Sequence, residues 1–128
     1  MAINFQSHLI NVCRQYIPEI KLLYLFGSYA SNQAQANSDI DLAVLLTKKI
    51  STVTRWEIQQ KLALELNIDV DLIDLLSAST VMQNQIVNKG VCLYDTGDYK
   101  IAFEMQVMSM YQHLNEERSS LLTEFKGS

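Results

Sequence analysis

Two cysteines are all that this 128-residue sequence holds, and one proline. Cys13 and Cys92 stand alone, outside any C-x-x-C or Cys/His spacing, which argues against a disulfide framework and against a thiolate metal site. They read as reduced core residues of a cytoplasmic protein. A surplus of positive charge is missing too. With a net charge of −4 and a pI near 5.0, direct binding to a nucleic-acid backbone is not expected. An acidic chain suits small-molecule substrates or a basic protein partner. No apolar run approaches the roughly 18 residues of a membrane span, and Met1–Val12 lacks the apolar stretch of a signal peptide. Repeats, low-complexity tracts and interdomain linkers are also absent. What remains is 48% apolar, which fits one domain over residues 1–128 with a real core.

Phe5, Leu9, Val12, Cys13, Tyr16 and Ile17 recur at helical spacing, and Pro18 stops that helix. Leu22–Phe26 reads as a short buried strand, and residues 39–47 as a second. The stretch Tyr29–Ser38 between them starts as a helical turn and becomes a polar loop. Thr52 or Thr54 is the expected cap of a helix through Asn67, with Trp56, Leu62, Ala63 and Leu66 on its inner face. Ile68–Leu76 reads as a third strand. Ser79 then caps a helix over Thr80–Lys89, which Gly90 closes as a C-terminal glycine. Val91–Tyr94 is a short apolar segment with edge-strand character, and a final helix runs from Gly97 or Asp98 to Glu124. The order predicts an α/β (α+β) fold: a small mixed sheet with helices packed mainly on one face, its other face open to ligand.

The chemistry is concentrated in two places. Leu22–Phe26 ends at Gly27-Ser28, and Asp39-Ile40-Asp41 opens the next strand. Side chains alternate along a strand, so Asp39 and Asp41 project together, about 6.6 Å apart along the backbone. Aspartate is depleted in strands, and paired like charges repel unless a cation sits between them. Two Mg²⁺ ions answer that need. The Gly-Ser step adds close backbone approach, a hydroxyl and N–H groups at a helix start, which together read as a nucleotide-phosphate site. The third strand carries Asp69, Asp71 and Asp74. Asp71, mid-strand, is the choice for a third carboxylate. Asp69 at the strand mouth reads as a solvated start residue, and Asp74 as facing a helix terminus or solvent.

The spacing G-S-x10-D-x-D, with V-D-L-I-D at Val70–Asp74, resembles the signature of the polymerase-β-type nucleotidyltransferase superfamily in its minimal branch. The resemblance spans residues 22 to about 95. RWEIQQKLA (Arg55–Ala63), SASTV (Ser77–Val81) and SMYQHLNEER (Ser109–Arg118) are similar, in turn, to MNT-type antitoxins encoded beside HEPN-domain toxins. This implies transfer of AMP from ATP to a tyrosine hydroxyl of a HEPN ribonuclease, which silences it. It also implies that Asp39, Asp41 and Asp71 bind Mg²⁺, that Ser28 holds a triphosphate oxygen, and that Gly27 allows close approach. The loop Asn32–Asn37 carries no basic residue, so Arg55 and Lys61 are the candidates for a triphosphate cation.

Blander readings compete. Gly27-Ser28 alone could be a strand-to-helix turn, but beside D-x-D that reading weakens, and Asp41 inside an apolar run is hard to dismiss. His8 and His113 read as surface residues, and Tyr24, Tyr29 and Tyr94 as packing residues. The last helix carries two apolar stripes, Phe103, Val107, Met110, Tyr111 and Leu114 on one side and Ile101, Met105 and Met108 on another. That is wider than an ordinary surface helix needs. It fits either two-sided burial or a docked partner, for which Met-rich surfaces adapt well. Two other functions remain in play: transfer to a small molecule, as in aminoglycoside-modifying relatives, and a non-catalytic antitoxin that acts by contact.

Overall fold

The computed structural model describes residues 2–30 and 39–127, with side chains from 5 to 30 and from 39 to 123. The loop Asn32–Asn37 lies outside them. Helix α1 forms over Ala2–Tyr16 and buries Leu9, Val12, Cys13 and, just past its end, Ile17. Pro18, which lacks an N–H, follows at once. Strand β1 is Leu22–Phe26, β2 Ile40–Leu45 and β3 Val70–Asp74; α2 (Thr52–Leu66) joins the last two. Then come α3 (Thr80–Lys89), β4 (Val91–Asp95) and the long α4 (Tyr99–Gly127).

The strands form one mixed sheet in the order β3-β2-β1-β4. β1 runs antiparallel to both β2 and β4, while β2 and β3 are parallel, the connection that α2 crosses. Burial on both faces explains why β1 and β2 are near-continuous apolar runs instead of alternating ones. Leu23, Leu25, Ile40, Leu42, Val44 and Leu72 pack with α1 and with Leu62 of α2. Leu22, Tyr24, Ala43 and Leu45 pack on the opposite side with Ile86 of α3 and with Phe103 and Val107 of α4. Helices therefore back one face and also cover part of the other. The open ground lies beyond that second core, where β2 and β3 begin.

Several local expectations need correction. Ser51 caps α2, its Oγ accepting from the Thr54 amide at 3.1 Å. It precedes Thr52 and Thr54 and, in the extended conformation, can reach back to the third helical N–H. Trp56 is 55% exposed, because α2 turns Leu62 to the core and Trp56 lies off that side. Asn67, at φ 56°, takes the left-handed position that ends α2. Gly90, by contrast, is extended. A Cβ there would stand 2.5 Å from the Ile86 carbonyl and 3.0 Å from that of Leu25, so close packing is what requires glycine.

Asp74 does not face water; it lies by the N-terminus of α2, where Ile50 precedes the Ser51 cap. It is buried and accepts hydrogen bonds from the Ile50 and Leu76 amides and the Ser77 hydroxyl at 2.9–3.2 Å. Along α4, Phe103 and Val107 are buried, but Met110 of the same stripe is exposed, as are Ile101, Met105 and Met108. Tyr24 donates to Glu104 Oε2 at 2.6 Å and ties α4 to the centre of the sheet. Burial pushes the Cys13 thiol up to about 12, and Cys92 is half-buried; both are unbridged.

Candidate active site

The strand register brings three elements to one place. Phe26, the last residue of β1, lies opposite Asp41, and Asp41 lies opposite Asp71 in the parallel ladder. Asp39 precedes β2, and Asp69 precedes β3 with its carbonyl accepting from the Ile40 amide at 2.9 Å. Asp41 and Asp71 therefore occupy equivalent positions at the mouths of adjacent strands, while Asp69 stays outside the strand.

After Phe26 the chain enters a 3-10 turn, Gly27–Tyr29, where a helical turn is expected to start. Gly27 adopts φ +74°, where a side chain is strained. A Cβ built there would collide with the Asp41 carboxylate oxygen and stand 3.0 Å from its Cγ. The Gly27 backbone is thus laid directly against the carboxylate of Asp41, and Ser28 follows in the same turn. Tyr29 stacks on Phe5 with ring centroids 5.9 Å apart.

Electrostatics join the acids. The Asp41 carboxyl is held above its ordinary value, first by burial, then by the negative charges of Asp71 and Asp39. Asp39 and Asp71 themselves are exposed. Among the described residues, no group of three His, Cys, Asp or Glu side chains is closed up as a metal site. The cluster is open, and its carboxylates repel one another. Its donor set of carboxylate oxygens suits a hard divalent cation, and the upward shift at Asp41 is the unfavourable charge that such a cation would relieve.

Beside Asp71 a cavity of about 320 Å³ opens, lined among others by Thr52, Arg55, Ile73 and Ser77. Arg55 does not reach out as a loose cation: its Nη1 donates to the Leu72 carbonyl at 3.0 Å and to Gln59 Oε1 at 3.3 Å. Lys61 is exposed on α2. Gln59 escaped the sequence reading, since an amide one turn after Arg55 on a polar helix face carries no signal of its own. His8 and His113 are both exposed, His113 beside Glu117 at 3.0 Å.

A family model described as polymerase beta nucleotidyltransferase matches residues 7–99. The chain belongs to that nucleotidyltransferase family. It is 44% identical over 117 residues to the protein adenylyltransferase MntA of Shewanella oneidensis, covering 91% of this chain and 84% of that protein. This places it among the MNT-type members. A chain of a toxin–antitoxin complex solved with AMP-PNP superposes with a TM-score of 0.84 at 43% identity, over 94% of this nucleotidyltransferase and 98% of that chain. A chain of the complex between a tri-AMPylated Shewanella oneidensis HEPN toxin and its MNT antitoxin superposes at 0.80 and 40%, over 98% and 99%. Among the described residues no helix is long and apolar enough to cross a membrane.

Proposed function

We propose that this nucleotidyltransferase is an antitoxin acting in the cytoplasm as a protein adenylyltransferase, moving AMP from ATP to a tyrosine hydroxyl of a HEPN-domain toxin. The observation that carries the reading is the Asp41 carboxyl, set opposite Asp71, pressed against Gly27 and raised by its acidic neighbours. Such a site has little covalent chemistry to perform; positioning and charge neutralisation suffice for phosphoryl transfer.

Gly27, without a side chain, lets the triphosphate approach the backbone next to Asp41, and the Ser28 hydroxyl binds one of its oxygens. Asp39, Asp41 and Asp71 would hold two Mg²⁺ ions, which would supply positive charge against the negative charge developing on the phosphates. The tyrosine oxygen bonds to the α-phosphorus, the bond to the bridging oxygen of the β-phosphate breaks, and pyrophosphate leaves. Asp71, exposed and beside the open cavity, takes the phenolic proton. The whole chain, 1–128, works as a single domain. The exposed Ile101, Met105 and Met108 of α4 are the apolar surface on which the toxin docks.

The test is to incubate the chain with ATP, Mg²⁺ and its partner, then weigh each protein. Mass gains in AMP units on the partner, lost with Asp39→Asn or Asp41→Asn, are expected. Neutralisation at equal stoichiometry by the doubly substituted protein would instead establish the contact-only antitoxin. AMP found on an aminoglycoside-like compound and never on the partner would establish the small-molecule transferase.

A further inference from the structure

We infer that Gln59 and Arg55 are positioning residues for Asp71, a role that rests on Asp71 being the third carboxylate of the proposed site. Among the described residues β3 is an edge strand, so alternate N–H and C=O groups along it face away from β2 with no described strand to pair with. Both outward groups of Leu72 are nevertheless bonded. The Leu72 amide donates to Gln59 Oε1 at 2.9 Å, and its carbonyl accepts from Arg55 Nη1 at 3.0 Å. Arg55 Nη1 also donates to the same Gln59 oxygen at 3.3 Å, which closes the set. Two side chains one helical turn apart on α2 therefore do the work of a fifth strand at a single residue.

That residue is the neighbour of Asp71. The Leu72 side chain is buried beneath α2, and its backbone is pinned from the helix. Asp71 projects to the opposite face, across the ladder from Asp41. Repulsion between the two carboxylates pushes β3 outward from β2, and among the described residues no outer strand resists it. The bonds from Gln59 and Arg55 resist it. They hold the two acids at one spacing before any cation arrives, so less of the cation's binding is spent on gathering its ligands.

The decisive experiment measures metal binding without partner or turnover, so it stands apart from the choice of acceptor. Mn²⁺ binding is titrated by electron paramagnetic resonance for the wild type, Gln59→Leu and Gln59→Glu. Amide hydrogen exchange of residues 70–74 and thermal midpoints in EDTA are followed in parallel. Gln59→Leu removes the acceptor and should weaken Mn²⁺ binding about tenfold, with faster exchange at Leu72. Gln59→Glu keeps an acceptor oxygen and should restore binding to within about twofold of wild type. A purely structural bond would lower the midpoint of Gln59→Leu and leave its Mn²⁺ affinity unchanged; that result overturns the proposal. Should Gln59→Leu fail to fold, Arg55→Lys is judged by the same affinity criterion. Absence of Mn²⁺ binding by the wild type would sink the metal site itself, and the positioning role with it.

Discussion

Replacing Asp41 by asparagine removes a charge that the fold holds at a disadvantage, so Asp41→Asn should make the metal-free protein more stable while abolishing transfer. Asp41 and Asp71 are directly opposed on adjacent strands, which places their backbones about 4.8 Å apart. Two unit charges at that spacing repel by about 3.5 kcal/mol at an effective dielectric of 20, and by about 0.9 kcal/mol in water. Asp71 is exposed, so the watery limit is the better guide and a gain near 1 kcal/mol is expected, with thermal midpoint raised about 3–5 °C. The pH dependence fixes the sign. A raised carboxyl binds protons more tightly folded than unfolded, so its destabilising effect is absent below the ordinary value of 3.8 and grows as pH rises through the raised one. The advantage of Asp41→Asn should therefore vanish in acid and be complete near neutral pH. Differential scanning fluorimetry in EDTA reads the midpoint, and a double-mutant cycle with Asp71→Asn isolates repulsion from burial, because Asp71→Asn should help the wild type more than it helps Asp41→Asn. A midpoint that falls in EDTA near neutral pH, or transfer of labelled AMP that survives the substitution, refutes the reasoning.

Two further substitutions follow from single contacts. Gly27→Ala meets a left-handed backbone and a carboxylate in its way; the strained φ should cost about 1–2 kcal/mol, while displacement of Asp41 should reduce AMP transfer far beyond that, as kinetics beside urea denaturation will show. Asp74→Ala strips a buried acceptor from two amides and a hydroxyl and should lower stability by about 3 kcal/mol, visible as a reduced urea midpoint at unchanged slope, with Asp74→Asn losing less.

The sheet was readable in the sequence wherever burial was two-sided. Leu22–Phe26 and Thr80–Lys89 fall where the apolar run and the Ser79 cap put them, because those signals are local. β2 and β3 are shorter than the apolar runs that announced them, since Leu46 is apolar for the first core, and Leu75 and Leu76 for the second core and its rim, not for the ladder. Side-chain type points Trp56 inward, yet which face of a weakly amphipathic helix turns inward is decided by the sheet it meets. Asp74 shows the same limit. A carboxylate at a strand end looks solvated until the chain folds three donors onto it. The acids of the proposed site stand out in the sequence for the opposite reason: aspartate in an apolar strand conflicts with local preference, and such conflicts gather at functional places.

The position of the cluster is itself a compromise between rigidity and charge. Ile40, Leu42, Val70 and Leu72 alternate with the acids and are buried on the far face, so Asp41 and Asp71 stand on strands locked by the core beneath them. The carboxylates themselves lie where β2 and β3 begin, beyond the second core, and water reaches them. Buried deeper, they would neutralise themselves by binding protons and lose the charge a cation needs; carried on a loop, they would keep the charge and lose the spacing. Phe103, Val107 and the bond from Tyr24 to Glu104 seat α4 on this same sheet, which turns Ile101, Met105 and Met108 outward. On the proposed reading, a toxin held by that helix is held relative to the acids as well. Its tyrosine then needs to search only the space beside Asp71, and binding far from the reacting atoms lowers the entropy cost of bringing them together.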